Sequence, residues 1–350
     1  MALRPDQIAD LVKTTLDKYE RQNYVDISLD YPEYHFSSVI QNKNRLTWNG
    51  GISYKWDVQV ANDDNAKFSG MYDEDTLTTT NLMQQASVNA VKVTTGFMYD
   101  VDEEAFQGDN LTKIVDYIGV KKHSMENDFF TLCEAALWSA PASSSVTPMP
   151  FFGIPFWLQK STTAAFGFNG TDPSGFTAGA GNIASATYPN WANGTATYSQ
   201  INEQDFLVKL KEACVKTNFM APASFAELGK PGGSNWGHYT TYRVIGQLEK
   251  LLRSNNDNLG TDLSKYMGAT MFAGNPIKYV PYLETNDSTD PVYSVNWNTM
   301  KVVFVNGKYR QRSPAMAVSG KHSVRAQFED TWMQLACHNR RANHVLRLAP

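Results

Sequence analysis

Six histidines, at positions 35, 123, 238, 322, 338 and 344, are the side chains best suited to acid–base or metal chemistry, yet they are scattered and no two stand at a zinc-ligand spacing. His338 and His344 flank Arg340 and Arg341, which reads as a surface turn. Asp63-Asp64 and Asp73-Glu74-Asp75 would attract a cation but lack the Asp-x-Asp-x-Asp-Gly loop, so they read as solvated turns. Gly179-x-Gly181-x-x-Ala184 has the outline of a dinucleotide-binding turn, but no strand pattern precedes it and no helix follows, so it is treated as chance. Gly307-Lys308 and Gly320-Lys321 lack the upstream Gly and the following Ser or Thr of a phosphate loop, and no Gly-x-Ser-x-Gly elbow occurs. The Asn-x-Thr sequons at Asn169 and Asn193 carry little weight without a secretory signal. No catalytic residue, cofactor-binding residue or metal ligand is assigned, and the chain is expected not to be an enzyme. The many Trp and Tyr side chains would suit a sugar-binding platform, and equally a core or a subunit interface.

Composition narrows the class. The chain has 350 residues, a net charge of −4 and 42% apolar residues. With a mean hydropathy of −0.40, this describes an ordinary folded chain with one large domain or two to three smaller ones. Seventeen Tyr, eighteen Phe and eight Trp favour strand and interface. No apolar run approaches a bilayer span, and Met1-Ala2-Leu3-Arg4-Pro5-Asp6 has no signal core, so a cytoplasmic origin is expected. Cys133, Cys214 and Cys337 lie far apart in apolar patterns and read as reduced core residues. Slight acidity excludes a strong basic grip on nucleic acid but leaves room for weak contact.

The elements follow from periodicity. Residues 6–21 form an amphipathic helix with Ile8, Leu11, Val12, Leu16 and Tyr19 on one face. After the Asn49-Gly50-Gly51 turn, Ile52, Tyr54, Trp56, Val58 and Val60 alternate with polar residues, and Phe68, Gly70 and Tyr72 alternate on the way back. That predicts a long hairpin with an aromatic face. An isolated hairpin is marginal in water, so this one must lie on another surface, its own domain or another subunit. Val91 to Val101 forms a second strand. The longest element is a helix over 109–140, with Leu111, Val115, Ile118, Met125, Phe129, Leu132 and Ala136 as its apolar stripe. At 1.5 Å per residue it would be roughly 45 Å long. Residues 141–199 read as a long Gly/Ala/Ser loop with aromatic anchors at 151–157 and 188–191, a length that is usually functional. Helices at about 203–216 and 239–254, strands at about 269–273, 277–283 and 300–305, and alternation from His322 to Leu348 complete an α+β chain.

Taken in order, these elements resemble the major capsid proteins of tailed bacteriophages, with the Hong Kong 97-type fold. Arg4 to Arg21 resembles the N-arm helix, Trp48 to about Thr80 the E-loop, and Asp109 to Ala140 the spine helix. Gly153-Ile154-Pro155-Phe156-Trp157-Leu158 is similar to a Gly-x-Pro-aromatic-Trp segment after the spine. The run from Thr331 to Asn343 resembles the last peripheral strand pair. The resemblance implies an N-arm at 1–47, an E-loop hairpin at 48–85, a peripheral domain at 86–201, an axial domain at 202–319, and a return to the peripheral domain at 320–350.

It also implies function. Many copies would form pentamers and hexamers that close into an icosahedral shell, the virion head, around weakly contacted double-stranded DNA. Assembly would take place in the host bacterial cytoplasm, with no membrane and no cofactor. Trp48, Ile52, Tyr54, Trp56, Val58, Phe68 and Tyr72 of the E-loop, and Leu11, Leu16 and Tyr19 of the N-arm, would contact neighbouring subunits. Some members crosslink an E-loop Lys to a neighbour's Asn, and Lys55 and Lys67 fall in that region, though most members do not crosslink. Because the chain starts almost at the N-arm, a separate scaffolding protein is expected, with a portal and a decoration protein as further partners. Two other readings stay open: an encapsulin-type nanocompartment shell, and a soluble enzyme or carbohydrate-binding protein using the Trp/Tyr surface.

Overall fold

The computed structural model describes residues 28–41, 45–72, 74–102, 111–219, 235–254, 270–272 and 274–350. The N-arm helix, with Leu11, Leu16 and Tyr19, lies outside the described residues. In chain order the strands and helices are β1 (Arg45–Trp48), β2 (Ser53–Gln59), β3 (Met83–Asn89), β4 (Val91–Asp100), α1 (Leu111–Leu137) and α2 (Ile154–Trp157). Then come β5 (Gly194–Tyr198), α3 (Val208–Thr217), β6 (Trp236–Thr240), α4 (Tyr242–Ser254), β7 (Met271–Phe272), β8 (Asn275–Tyr279) and α5 (Pro281–Asn286). The chain closes with β9 (Val292–Asn296), β10 (Met300–Val305), β11 (Gln311–Arg312), β12 (Met316–Val318), β13 (Lys321–Cys337) and β14 (His344–Leu348).

Two six-stranded sheets organise the chain. The first is built on β13, a single strand of 17 residues. Antiparallel β4 runs along one edge of it from Val324 to Met333. The other edge takes β12, β11 and β10 in succession, and β1 adds to β10 in parallel. The second sheet has the order β5-β14-β9-β6-β8-β7. Hydrogen-bond partners, not chain order, therefore set the layers. β10, β11 and β12 fall within 202–319 yet pair in the first sheet, while β14 falls within 320–350 yet pairs with β5 and β9 in the second.

The hairpin differs from its sequence pattern. The partner of β2 is β3, from Ser53↔Asn89 to Gln59↔Met83, and the stretch around Phe68 to Tyr72 is not a strand. Residues 60–82 instead form a long excursion between the two arms.

Helix α1 is amphipathic, but its buried line is Met125, Phe129, Cys133 and Leu137; Leu132 is exposed. A strict four-residue step drifts round a 3.6-residue helix, and the drift carries Leu132 off the buried face. Near its end Glu134 is buried. Its carboxylate accepts the Phe36 backbone N–H at 2.7 Å and the Trp138 indole N–H at 2.8 Å. This ties the segment before β1 to α1. Burial raises the Glu134 pKa, against the pull of these hydrogen bonds and of His35.

The second sheet has a core on each face. Tyr239, Tyr293, Val295 and Val345 join the large cluster with α1, Trp157, Val302 and Leu335. Leu346, Val292, Ile277 and Ala196 join a smaller cluster with Phe206, Leu210, Val244 and Leu248 of the helical layer. The loop anchors Phe151, Phe156, Trp157 and Trp191 are buried as the sequence predicts, and all three cysteines are free thiols, with Cys133 and Cys337 buried.

Gly153 explains the Gly-x-Pro-aromatic-Trp motif. A Cβ there would lie 2.2 Å from Ser139 O, 2.5 Å from Ala136 O and 2.6 Å from Leu137 O, all backbone atoms at the end of α1. Gly153→Ala is therefore expected to cost about 3 kcal/mol, because overpacking against backbone cannot be relieved by a rotamer change. A urea-denaturation midpoint would measure it, and a loss below about 1 kcal/mol would mean that the loop simply steps away.

Candidate inter-subunit interface

The hairpin has a base and a tip with different environments. At the base, Trp56 is buried, and Trp48, Tyr54 and Val58 pack on the chain's own large core. Tyr54 stacks on Trp56 with ring centroids 5.5 Å apart, and its hydroxyl bonds His338 Nε2 at 3.2 Å. Trp56 meets Trp157 at 6.2 Å and His338 at 5.3 Å. Burial, reinforced by Lys301, lowers the His338 pKa, so the ring stays neutral in this aromatic setting. Polar ties fix the same base: Ser87 N–H to Gly181 O at 2.9 Å, Asn182 Nδ2 to Ser87 Oγ at 2.6 Å and Asn190 Nδ2 to Val60 O at 3.1 Å. The turn at 179–184 serves this docking, with Trp191 Nε1 donating to Ala180 O at 2.8 Å. Four of the seven E-loop side chains read from the sequence thus face their own chain.

The tip does the reverse. Phe68 is 108% exposed, Tyr72 97%, Met71 85% and Leu77 78%, and Ile52 at the start of the hairpin is exposed too. The excursion that carries them is ordered by its polar residues. Asn65 Nδ2 donates to Thr78 O and Asn65 Oδ1 accepts the Thr78 N–H, both at 2.8 Å. Asp63 Oδ1 accepts the N–H and hydroxyl of Thr80 at 2.7 Å, and these bonds hold its carboxyl below the usual range. Lys67 Nζ sits 3.3 Å from Asp75. Tyr72 adopts φ +83, a left-handed conformation that a non-Gly residue takes at a cost of about 1–3 kcal/mol. These apolar side chains thus stand in solvent on a cross-braced loop.

A second exposed apolar area lies on the outer face of the first sheet. Register places Met98, Met316, Phe328 and Trp332 on one side, with Gly96 opposite Phe328. The other side faces α1. There Arg310 Nε donates to the buried Glu329, Arg310 NH2 reaches Glu126 at 2.6 Å, and Arg312 bridges the same two carboxylates at 2.7 and 2.6 Å. Burial alone would raise the Glu126 pKa, but the hydrogen bonds and charges of Arg310 and Arg312 outweigh it and hold the carboxyl low. A lowered folded pKa gives stability present above the unfolded carboxylate range, and that stability is lost as pH falls through the lowered value. Glu126→Gln is expected to cost about 1–2 kcal/mol and to flatten this acid dependence, because the carboxylate that Arg310 and Arg312 hold low is then gone. Thermal melts of both chains across the carboxylate range would measure it, and parallel curves would overturn it.

The Asn339-Arg340-Arg341 stretch is a turn, but Arg340 and His344 are fully buried rather than at a surface. Arg340 Nε donates to Trp157 O at 2.8 Å, and NH2 donates to Thr171 O at 3.0 Å and Asn193 Oδ1 at 3.3 Å. Asp172 lies 3.7 Å from NH1. Burial lowers this guanidinium to about 10, with Asp172 among the opposing influences. Sequence pattern missed this centre, because an Arg pair between histidines reads as solvated until the 141–193 loop folds over it. Among the described residues no group of three or more His, Cys, Asp or Glu could hold a metal, and no helix is long and apolar enough to cross a membrane.

A spine helix against a sheet built on one long strand, a second sheet under its own helices, and a projecting hairpin together make the Hong Kong 97-type phage capsid fold, and this chain has that fold. A chain of the Cyanophage A-1(L) capsid asymmetric unit superposes with a TM-score of 0.65 at 14% identity, covering 97% of this chain and 99% of that one. The capsid of the native GTA particle gives 0.57 at 12% identity, covering 97% and 99%. A chain of Gordonia phage Cozz gives 0.54 at 12% identity, covering 96% and 92%. No protein-family model and no curated protein sequence matches the chain.

Proposed function

We propose that this chain is the major capsid protein of a tailed phage, a structural subunit that self-assembles through pentamers and hexamers into the icosahedral shell around double-stranded DNA. The observation that carries this reading is the hairpin. Its base is fastened to its own core and its tip holds Phe68, Met71, Tyr72 and Leu77 in solvent. A folded chain gains nothing from such a tip alone; burying it on a neighbour contributes roughly 25 cal/mol per Å² of apolar area at every contact. In this reading Ile52, Phe68 and Tyr72 make the inter-subunit contacts, and Trp48, Tyr54, Trp56 and Val58 hold the hairpin's base. The N-arm residues Leu11, Leu16 and Tyr19 supply a further contact. The peripheral domain follows the first sheet and α1, and the axial domain follows the second sheet. A separate scaffolding protein, a portal and a decoration protein are its partners, and assembly takes place in the host bacterial cytoplasm before the chain becomes part of the virion.

Negative-stain electron microscopy with light scattering on the same sample tests this. Shells, tubes or free pentamers and hexamers are the expected result, and particle diameter separates a phage head from a small nanocompartment. A monodisperse monomer of 39.1 kDa under all conditions, with scaffold present, would refute it.

A further inference from the structure

The second sheet carries a row of polar side chains where a core would ordinarily be apolar. His238 on β6 and His344 on β14 both stand in register with Ser294 on the intervening β9, so the three side chains lie side by side on one face. All three are fully buried. Gly194 and Ile277 continue the row on β5 and β8, and Phe166 closes over the Gly194 end, where a Cβ would come within 2.7 Å of its ring.

Helix α3 closes the row. The Thr217 hydroxyl donates to Ala213 O at 2.7 Å, so its oxygen is left to accept at His344 Nδ1, 3.2 Å away. His344 therefore carries its proton on Nδ1, and its bare Nε2 faces the Cys214 thiol at 3.8 Å. On the other ring, His238 Nδ1 bonds Ser294 Oγ at 2.8 Å, and Nε2 has no partner among the described residues.

We propose that this row is an acid-released latch holding α3 to the second sheet. A second proton on His344 must go to Nε2, where it meets the Cys214 sulfur, a weak acceptor that offsets little of the cost of a buried cation. A second proton on His238 creates a buried cation with no acceptor at Nε2. Among the described residues the groups facing the rings offer no compensating charge: Cys214 and Thr217 from α3, with Lys216 over the Phe166 ring, Trp236 from β6, Ser294 from β9, Phe272 from β7 and Phe166 from the loop. Burial pushes the His238 imidazole down to about 4 and holds the His344 imidazole well below its ordinary value, the latter helped by His238. Both values sit below that of an unfolded histidine. The layer is therefore fully stable above about pH 6.5 and loses stability as pH falls from there, with two protons taken up on opening.

The three cysteines report the opening. Cys214 lies in the latch, while Cys133 and Cys337 belong to the large core on the other face. The full-length protein is held at a series of values from about pH 7.5 to about pH 4 and labelled with 4,4′-dithiodipyridine, and modification at each site is read by peptide mass spectrometry. After correction for a model thiol, Cys214 modification should rise about tenfold or more toward low pH, while Cys133 and Cys337 stay protected. In His344→Asn, which keeps a donor toward Thr217 and cannot titrate, the rise should shrink by about tenfold. Equal labelling of all three cysteines would show global unfolding and overturn the latch, as would a flat Cys214 profile. If the variant fails to fold, the histidine ring resonances of the unaltered chain decide: two rings protonating together with Cys214 exposure support the latch. Protonation near the ordinary value with Cys214 still protected refutes it.

Discussion

A chain carrying Phe68→Ser and Tyr72→Ser folds with unchanged stability and does not assemble. Both side chains are fully in solvent, so removing them should alter the stability of the single chain by no more than about 0.5 kcal/mol. Serine also leaves the Asn65–Thr78 and Asp63–Thr80 bonds that order the excursion untouched. At an interface the same change is large. Each buried aromatic contributes about 2 kcal/mol, so a pair costs about 4 kcal/mol, roughly a thousandfold in the equilibrium of each contact. A closed assembly repeats that contact in every subunit, and the losses compound. Thermal melting of the free chain and light scattering under assembly conditions measure the two halves of this expectation. Phe68→Leu, which keeps apolar bulk, should assemble. Shells of normal size and yield from the double variant would remove the hairpin tip from the interface.

Arg340→Met destabilises the chain by about 4 kcal/mol, since breaking a buried charge network from one side costs about 3–5 kcal/mol. An apolar replacement is sometimes neutral when both sides of a pair are removed together. Here the acceptors remain: the Trp157 and Thr171 carbonyls and the Asn193 amide oxygen are fixed by backbone far away in the chain. Arg340→Lys should recover little, because a single ammonium cannot span three acceptors that a planar guanidinium forks between. Urea unfolding of the three chains measures the difference, and a loss below about 1 kcal/mol for Arg340→Met would show that the loop has another anchor.

What the sequence disclosed follows how each element is buried. The spine helix, β2 and β4 were legible because each has one wet side and one dry side, which writes a period of 3.6 or 2 into the residues. Gly194–Tyr198, Trp236–Thr240 and Val292–Asn296 were not, because every residue in them is buried. A strand covered on both faces has no alternation to read. β3 was missed for the opposite reason: in Met83–Asn89 only Ala86 and Val88 are buried, and its pairing with β2 is dictated by the partner strand. The apolar hairpin residues were legible as a set but not as two groups, one docked and one exposed. Trp56 and Phe68 look alike in sequence, and what separates them is Trp157 and His338, roughly a hundred and nearly three hundred residues further on. Arg340 could not have been found from pattern at all, since its acceptors lie in a stretch with no period.

Strand β13 has a mechanical meaning. At about 3.3 Å per residue its 17 residues form a beam roughly 55 Å long. Its far end is gripped by β4 and β12, and its near end by β10. Only the short turn from His338 to Asn343 separates it from β14 at the heart of the other sheet, and Arg340 clamps that turn. A push on the outer end of the beam cannot be absorbed at the junction and must reach the second sheet as a rotation of the whole. The two sheets, joined through so short and clamped a turn, therefore behave as one rigid bracket.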